Sequence, residues 1–226
     1  MKAKSGGSRV ESRKRKMKEK DLGMGSEVLH SELRTPNSEL RSSHSELRTP
    51  NSEPSMQIAI TGRGGQGVLF ITRILSECAL ELGLNVIASE THGMAMRGGS
   101  VISTLKVGDY RGPLIGSGQA EIMLVLDAGS MEAFSHLLAE KGTLFLNAPS
   151  SDSHPCIDAT GLAVSMGNPL IANLVLLGFA LNHGTLFCDT TLVESATEKL
   201  SPPRFREINL RALKAGFSAH AKKEQK

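Results

Sequence analysis

The stretch IAITGRGGQGV, residues 58–68, decides the fold of this 226-residue chain. Four apolar or β-favouring residues lead into a turn that holds glycine at four of its six positions, and an apolar helical pattern begins at Val68. A strand, a glycine-rich turn and a helix in this order leave backbone N–H groups free at the helix N-terminus, where the helix dipole favours negative charge. The stretch therefore predicts a site for an anionic group such as a phosphate.

This first loop, residues 62–67, also has the glycine spacing of dinucleotide-binding folds. Its glycines fit G-x-G-x-x-G, and Glu90 ends the next predicted strand, where an acidic residue would bind a ribose. The pattern alone leaves open a stand-alone NAD(P)-binding Rossmann dehydrogenase domain, a site for another phosphate-bearing ligand, and a tight turn without a ligand. The candidate binding residues of this loop are Gly62, Arg63, Gly64, Gly65, Gln66 and Gly67.

A second loop, ETHGMAMRGG at residues 90–99, follows the second predicted strand. It is expected to emerge at the same carboxyl edge of the sheet as the first loop, where ligands of open α/β sheets bind. A dinucleotide-binding fold assigns no role to this loop, nor to Arg63 and Gln66 in the first, which argues against the nicotinamide interpretation. The second loop adds the candidate binding residues His92, Gly93, Met94, Arg97, Gly98 and Gly99.

The first 55 residues have a different character from the rest. Residues 1–20 hold nine Lys/Arg against two acidic residues, which is typical of chain that cannot bury enough apolar surface to fold. In residues 30–53 the unit SELR recurs every seven residues, but one leucine per heptad and two prolines argue against a coiled coil.

Ten residues from His30 match the ten from His44 without a change, as expected of a duplicated DNA tract. We therefore expect the native start at Met56, with residues 1–55 a disordered, repeat-containing tail translated from upstream sequence and residues 56–226 the functional domain. Two alternatives remain for residues 1–55. They are a basic tail that contacts nucleic acid or an anionic surface, or a cloning remnant.

Charge and composition exclude several classes of function. The first 55 residues carry 12 Lys/Arg against 8 Asp/Glu, whereas the remaining 171 carry 14 against 15. The nearly neutral domain gives no electrostatic case for nucleic-acid binding, and no apolar run is long enough to span a membrane. Its three cysteines are too few for a four-cysteine iron–sulfur cluster, no metal site or catalytic constellation is predicted, and a cytoplasmic location is expected.

Hydrophobic periodicity predicts alternating strands and helices from Met56 onward. This alternation is typical of a three-layer α/β/α, Rossmann-like domain with a mostly parallel, mixed sheet. A turn at Gly108 predicts that the segment near residues 113–115 returns antiparallel. The predicted strands are 57–61, 86–89, 101–107, 122–126 and 143–146, the second and fourth of them buried, and the predicted helices are 68–82, 130–138, 170–181, 190–200 and 205–221.

The two loops together carry a family resemblance. GRGGQGV at residues 62–68, followed by ETHGMAMRGGSV at 90–101, resembles the gamma-type subunit of 2-oxoacid:ferredoxin oxidoreductases. The beta subunit of indolepyruvate ferredoxin oxidoreductase, in particular, carries the form E-x-H-G-M-A-Q-R-G-G. A third matching element is Asn168 with the apolar helix after it, and the resemblance covers residues 56–216.

The resemblance implies a subunit of a complex that oxidatively decarboxylates a 2-oxoacid, here an arylpyruvate, to an acyl-CoA and reduces ferredoxin. It implies that thiamine diphosphate, magnesium and iron–sulfur clusters lie in a large partner subunit, and that this chain holds none of them and is inactive alone. The chain itself would complete the active cleft and contact coenzyme A phosphates. Met96, where the family has Gln, and Asp127, where it often has Glu, put the identity of the 2-oxoacid in question.

Structural roles compete with ligand binding at several of these residues. Gln66 can bridge the two loops, and Arg63 and Arg97 can form subunit ion pairs. Asn168 can cap the helix that follows, with Pro169 at its first position. Glu90 is expected to be a buried acid paired with Arg97.

Overall fold

The structure is a computed structural model that describes residues 54–92 and 99–219. The tail at residues 1–53, most of the second loop and the last seven residues lie outside this range. The strands of the described residues are β1 (Met56–Arg63), β2 (Val86–His92), β3 (Ser100–Val107), β4 (Ala120–Val125), β5 (Leu138–Asn147) and β6 (Cys156–Ile157). The α-helices are α1 (Val68–Glu81), α2 (Met131–Phe134), α3 (Ala159–Ser165), α4 (Ala172–Asn182), α5 (Thr190–Leu200) and α6 (Arg206–Ser218).

These strands form a sheet in the order β2-β3-β1-β4-β5-β6. The β1/β4, β4/β5 and β5/β6 pairs are parallel, whereas β3 runs antiparallel to both β1 and β2. The predicted α/β fold with a mostly parallel, mixed sheet is therefore confirmed. Strands β2 and β3 lie on one side of β1, and β4 lies on the other side. The strand order therefore reverses at the crevice between β1 and β4.

Alternating side chains of the strands build a core on each face of the sheet. Ile58 and Ile60 of β1 point to one face, because side chains alternate along a strand, and there they join the core to which α1, α4, α5 and α6 contribute. Ala59 points the other way, into a smaller core completed by α2 and the loop residues Ile115 and Leu137. The third layer is thus built largely from short turns. Within the described residues, no helix is long and apolar enough to cross a membrane.

Helix α4 is buried all round, as its apolar composition predicts, and it crosses α6 at very short range. A Cβ on Gly216 of α6 would lie 1.9 Å from the carbonyl oxygen of Val175, and one on Gly178 of α4 would lie 2.0 Å from that of Leu213. Only glycine lets the two backbones approach so closely. This α4–α6 crossing therefore packs the middle of α4 directly against α6.

Several sequence predictions need correction. Strand β2 is an edge strand rather than a buried one, and Glu90 on it is exposed, so the buried acid predicted there is wrong. The predicted helix 130–138 is the single turn α2 flanked by 3₁₀ turns, with Leu138 already in β5. No strand forms near residues 113–115, the predicted loop residue Thr91 lies in β2, and α3 and β6 were not predicted.

Candidate functional site

The glycine turn at residues 62–67 is held by its own glutamine. The Arg63 N–H donates to Gln66 Oε1 at 2.6 Å, and the Gln66 N–H donates back to the Arg63 carbonyl at 3.1 Å. Gly65 and Gly67 have φ angles of +96° and +80°, which L side chains rarely adopt. The turn is therefore a preformed structure whose shape depends on glycine and on one amide side chain.

Asn173 at the start of α4 holds the other end of the turn. Its Nδ2 donates to the Gly67 carbonyl at 3.3 Å, and a Cβ on Gly67 would lie 2.1 Å from that nitrogen. Asn173 is 4% exposed, so its side of this partly buried contact is shielded from water. The family-like helix after Asn168 thus meets the first loop directly, which the sequence alone did not indicate.

The two described ends of the second loop, at His92 and Gly99, lie at the same edge of the sheet as the first loop. The Gly64 N–H donates to the Gly99 carbonyl at 3.0 Å, and the register pairs Arg63 with Ser100 and His92 with Val101. Both loops therefore emerge at the carboxyl edge of the sheet. The remaining predicted residues of the second loop, Gly93, Met94, Arg97 and Gly98, lie outside the described residues, as does the side chain of His92.

Arg63 forms an ion pair within the chain. Its Nε lies 3.1 Å from Asp127 Oδ1, in the segment that follows β4, and the side chains are 59% and 19% exposed. The partner belongs to the same chain, so an ion pair of Arg63 with another subunit stays a prediction. Because Arg63 is exposed and Asp127 is partly buried, the pair contributes about 1 kcal/mol to stability, and the Arg63 guanidinium stays accessible to a ligand.

A network of amides links the ends of three parallel strands. The Leu126 carbonyl, just after β4, accepts from Asn147 Nδ2 at 2.9 Å and from Gln66 Nε2 at 3.5 Å. The Asn147 Oδ1 accepts the Thr160 N–H at 3.1 Å, and its Nδ2 also lies 2.9 Å from Thr160 Oγ1. Asn147 was missed by the sequence predictions, although an amide that directly follows a buried strand was a usable signal.

A cavity of about 220 Å³ opens above this network, at the β1/β4 crevice. Crevices at the point where strand order reverses are the usual ligand sites of open α/β sheets. Of the predicted site residues that the structure describes, Gly65 and Gln66 line it. The lining residues of this carboxyl-edge cavity are Gly65, Gln66, Leu126, Asn147, Thr160, Pro169, Leu170, Ala172 and Asn173.

Backbone donors without an acceptor lie in the first loop and at the start of α1, and one of these residues, Gly65, lines the carboxyl-edge cavity. Within the described part of the chain, the N–H groups of Gly65, Gly67, Val68 and Leu69 have no hydrogen-bond acceptor. The last two belong to the first turn of α1, where the helix dipole favours an anion. The site can therefore bind negative charge through neutral backbone donors.

Asn168 has the capping role that the sequence left open. Its Oδ1 accepts the Leu170 N–H at 3.0 Å, and Pro169 occupies the first position of the 3₁₀ turn that precedes α4. Asn168 lies outside the carboxyl-edge cavity and lines a separate hollow beside Phe70 and Phe205.

Two further observations concern the chemically reactive side chains. Among the described residues, no three His, Cys, Asp or Glu side chains are grouped as a metal site would require. A hydrogen bond with Cys78, together with burial, raises the pKa of the Cys188 thiol, which disfavours the reactive thiolate.

The topology disfavours a nicotinamide site. In dinucleotide-binding folds the second strand lies parallel and directly beside the first, so its terminal acid reaches the ribose. Here antiparallel β3 separates them, which places β2, and with it Glu90, about 10 Å from β1 across the sheet. The NAD(P) interpretation is therefore not favoured.

Known proteins show the same fold and sequence pattern. The family model described as pyruvate ferredoxin/flavodoxin oxidoreductase matches residues 57–219. The indolepyruvate oxidoreductase subunit IorB of Archaeoglobus fulgidus is 30% identical over 189 residues, which cover 72% of this chain and 94% of that protein.

Two solved structures are also similar. The gamma subunit of a keto/oxoacid ferredoxin oxidoreductase from Geobacter sulfurreducens PCA has a TM-score of 0.60 at 25% identity, over 72% of this chain and 96% of that one. A 2-oxoglutarate:ferredoxin oxidoreductase from Magnetococcus marinus, solved with 2-oxoglutarate, coenzyme A and succinyl-CoA, shares the fold. Its TM-score is 0.62 at 14% identity, over 74% of this chain and 31% of that one. The chain therefore belongs to the 2-oxoacid:ferredoxin oxidoreductase family and corresponds to its gamma-type subunit.

Proposed function

We propose that this chain completes the coenzyme A side of the active cleft in a thiamine-dependent complex that acts on an arylpyruvate such as indolepyruvate. In that reaction a 2-oxoacid and coenzyme A give an acyl-CoA and carbon dioxide, and the two electrons released reduce ferredoxin in the cytoplasm. The carboxyl-edge cavity carries the proposal, because it combines open backbone donors with a preformed, glycine-dependent wall.

The chemistry of the cavity fits a phosphate group of coenzyme A. Gly65 and Gly67 offer N–H donors without side chains, and the α1 N-terminus adds a favourable dipole. The one acidic group beside the turn, Asp127, is already paired with Arg63. Since Arg63 is 59% exposed, its guanidinium has N–H donors left for the ligand.

The redox groups are proposed to lie in the large partner subunit. Thiamine diphosphate with magnesium supplies the decarboxylation chemistry there, and iron–sulfur clusters carry the electrons. The described residues offer no cluster of metal ligands, and the thiols of Cys78 and Cys188 are hydrogen-bonded to each other rather than directed at a shared site. This chain is accordingly proposed to be inactive alone and to contribute binding groups and exclusion of water.

The preference for an arylpyruvate is supported by the name of the Archaeoglobus relative, an indolepyruvate oxidoreductase subunit. The second loop is proposed to line the same cleft, with Arg97 as a second phosphate partner and with His92, Gly93, Met94 and Gly98 beside it. Residues 1–55 are proposed to be dispensable for this function.

Coexpression with the large subunit tests the proposal. The purified complex should reduce a viologen dye with indolepyruvate only when coenzyme A is present, and more efficiently than with pyruvate or 2-oxoglutarate. The isolated chain should give no dye reduction, and NAD should not raise its melting temperature. Dye reduction that is independent of coenzyme A, or tight NAD binding by the isolated chain, would refute the proposal.

A further inference from the structure

A second cavity of about 210 Å³ adjoins the carboxyl-edge cavity. The two share Leu170 and Asn173, so they lie on either side of the same short segment before α4. The residues that line the second cavity are Phe70, Asn168, Leu170, Ile171, Asn173, Pro202, Phe205 and Asn209. A ligand held at the glycine turn therefore has an adjoining hollow into which a further group can extend.

The walls of the second cavity suit a flat ring. Phe70, Ile171 and Pro202 are apolar, and Phe205 is 38% exposed at the rim. Phenylalanine faces are the surfaces on which nucleobases stack, because every base has a π-face. The carboxyl-edge cavity has no aromatic side chain in its lining and has more amide groups, those of Gln66, Asn147 and Asn173. The pair of cavities thus matches a ligand with a phosphate-bearing middle and an aromatic end.

Two asparagines give this apolar hollow a pair of unused polar atoms. Asn209 is 7% exposed, and its Nδ2 donates to Ser201 Oγ at 2.8 Å. Within the described residues, its Oδ1 accepts no hydrogen bond, and the Nδ2 of Asn168 donates none. The Asn209 Oδ1 atom is not fully buried, so it is accessible to a hydrogen-bond donor of a ligand. The amino group of adenine is such a donor, and its ring nitrogens are acceptors.

A cation lies beside the rim of the second cavity. The guanidinium carbon of Arg204 is 4.6 Å from the centre of the Phe205 ring. Among the described residues, no carboxylate lies within 4.0 Å of this guanidinium, whereas the neighbouring Arg206 is paired with Glu198. Arg204 is therefore available to a phosphate attached near a base that stacks on Phe205.

From these observations we infer that the second cavity binds the adenine ring of coenzyme A, with the 3′-phosphate of its ribose at Arg204 and its diphosphate at the glycine turn. The inference rests on the proposed function, since it extends the same ligand beyond the carboxyl-edge cavity. It assigns Phe205, Asn209 and Arg204 to ligand binding, and none of them was indicated by the sequence motifs.

The test uses the complete complex and a matched pair of phenylalanines. Phe205 and Phe217 are 38% and 37% exposed, but only Phe205 lines the second cavity. Phe205→Ala should raise the KM for coenzyme A about tenfold, as expected when a base loses its stacking partner. The inhibition constant of adenosine 3′,5′-bisphosphate should rise by the same factor, and that of 4′-phosphopantetheine should not change. Phe217→Ala should change none of the three.

A second variant tests the same inference without removing a ring. Arg204→Gln should abolish the preference for coenzyme A over dephospho-coenzyme A that the unaltered complex is expected to have. The inference is overturned if both variants leave the KM for coenzyme A unchanged, or if Phe205→Ala acts only by weakening association with the large subunit, as seen by mass photometry. A complex with Gly65→Asp distinguishes the adenine site from the proposed function. If only this variant raises the KM for coenzyme A, the adenine site is wrong. If no variant changes the KM for coenzyme A, the proposed function is wrong as well.

Discussion

The chain depends on glycine in two regions, and it uses glycine differently in each. At the α4–α6 crossing, Gly178 and Gly216 let two backbones touch, and the space that they vacate is filled by protein. In the turn, Gly65 has a positive φ, but a Cβ at this position would have no atom within 4 Å, so the space beside it is open. The first region stabilises the fold, and the second leaves backbone donors accessible. The difference distinguishes a packing glycine from a binding glycine.

The largest effect is expected at the crossing. Gly216→Ala would place a methyl group 1.9 Å from a backbone carbonyl oxygen, which cannot yield as a side chain would. We expect the free energy of unfolding to fall by about 3 kcal/mol or more, measured by urea denaturation of the full chain.

Gly112→Ala is the control for this substitution. Gly112 has no atom within 4 Å of its Cβ position and an ordinary backbone conformation, so its variant should unfold like the unaltered chain. Equal stabilities of the Gly216 and Gly112 variants would contradict the packing role of the crossing.

Within the turn, substitutions at the two glycines with positive φ should lower the stability by different amounts. Gly67→Ala combines backbone strain with a contact of 2.1 Å to Asn173, whereas Gly65→Ala carries strain alone. We expect losses of about 2–3 kcal/mol and about 1 kcal/mol respectively, by the same urea measurement. Adding Asn173→Ala should recover part of the loss at Gly67, and a double-mutant cycle without coupling would argue against this contact.

The amide network is expected to have an intermediate effect. Asn147→Ala removes the hydrogen bonds to the Leu126 carbonyl and to Thr160, so we expect a loss of about 1–3 kcal/mol and a raised KM for coenzyme A in the complex. Asn85→Ala, on an exposed side chain without a hydrogen bond among the described residues, is the control. Similar melting temperatures and KM values for the two variants would show that the network does not shape the site.

The smallest effect on stability is expected at Arg63. Arg63 is exposed and its partner Asp127 is only partly buried, so Arg63→Met should change the free energy of unfolding by about 1 kcal/mol or less. The same variant should nevertheless raise the KM for coenzyme A several-fold in the complex, and high salt should reduce the difference. Arg73→Met, on the exposed face of α1, should change neither quantity. A stability loss without a change in KM would assign Arg63 to structure alone.

The sequence predicted the parts of this fold that depend on local pattern. The strand–turn–helix at residues 58–82, the buried helix at 170–181 and the meeting of two loops at one sheet edge all follow from periodicity and chain direction. Sequence alone did not reveal that antiparallel β3 separates β1 from β2, because strand order depends on long-range pairing. Nor did it indicate Asn147 and Asn173, whose partners at Leu126, Thr160 and Gly67 are distant in sequence.

The most direct test of the central claim compares two isosteric residues at the open glycine. Gly65→Asp and Gly65→Asn add side chains of the same size that both tolerate positive φ, and they differ by one negative charge beside the carboxyl-edge cavity. If a coenzyme A phosphate binds at the turn, the KM for coenzyme A of the Asp complex should exceed that of the Asn complex about tenfold at low salt. Equal KM values for the two complexes would contradict the assignment of this turn to phosphate binding.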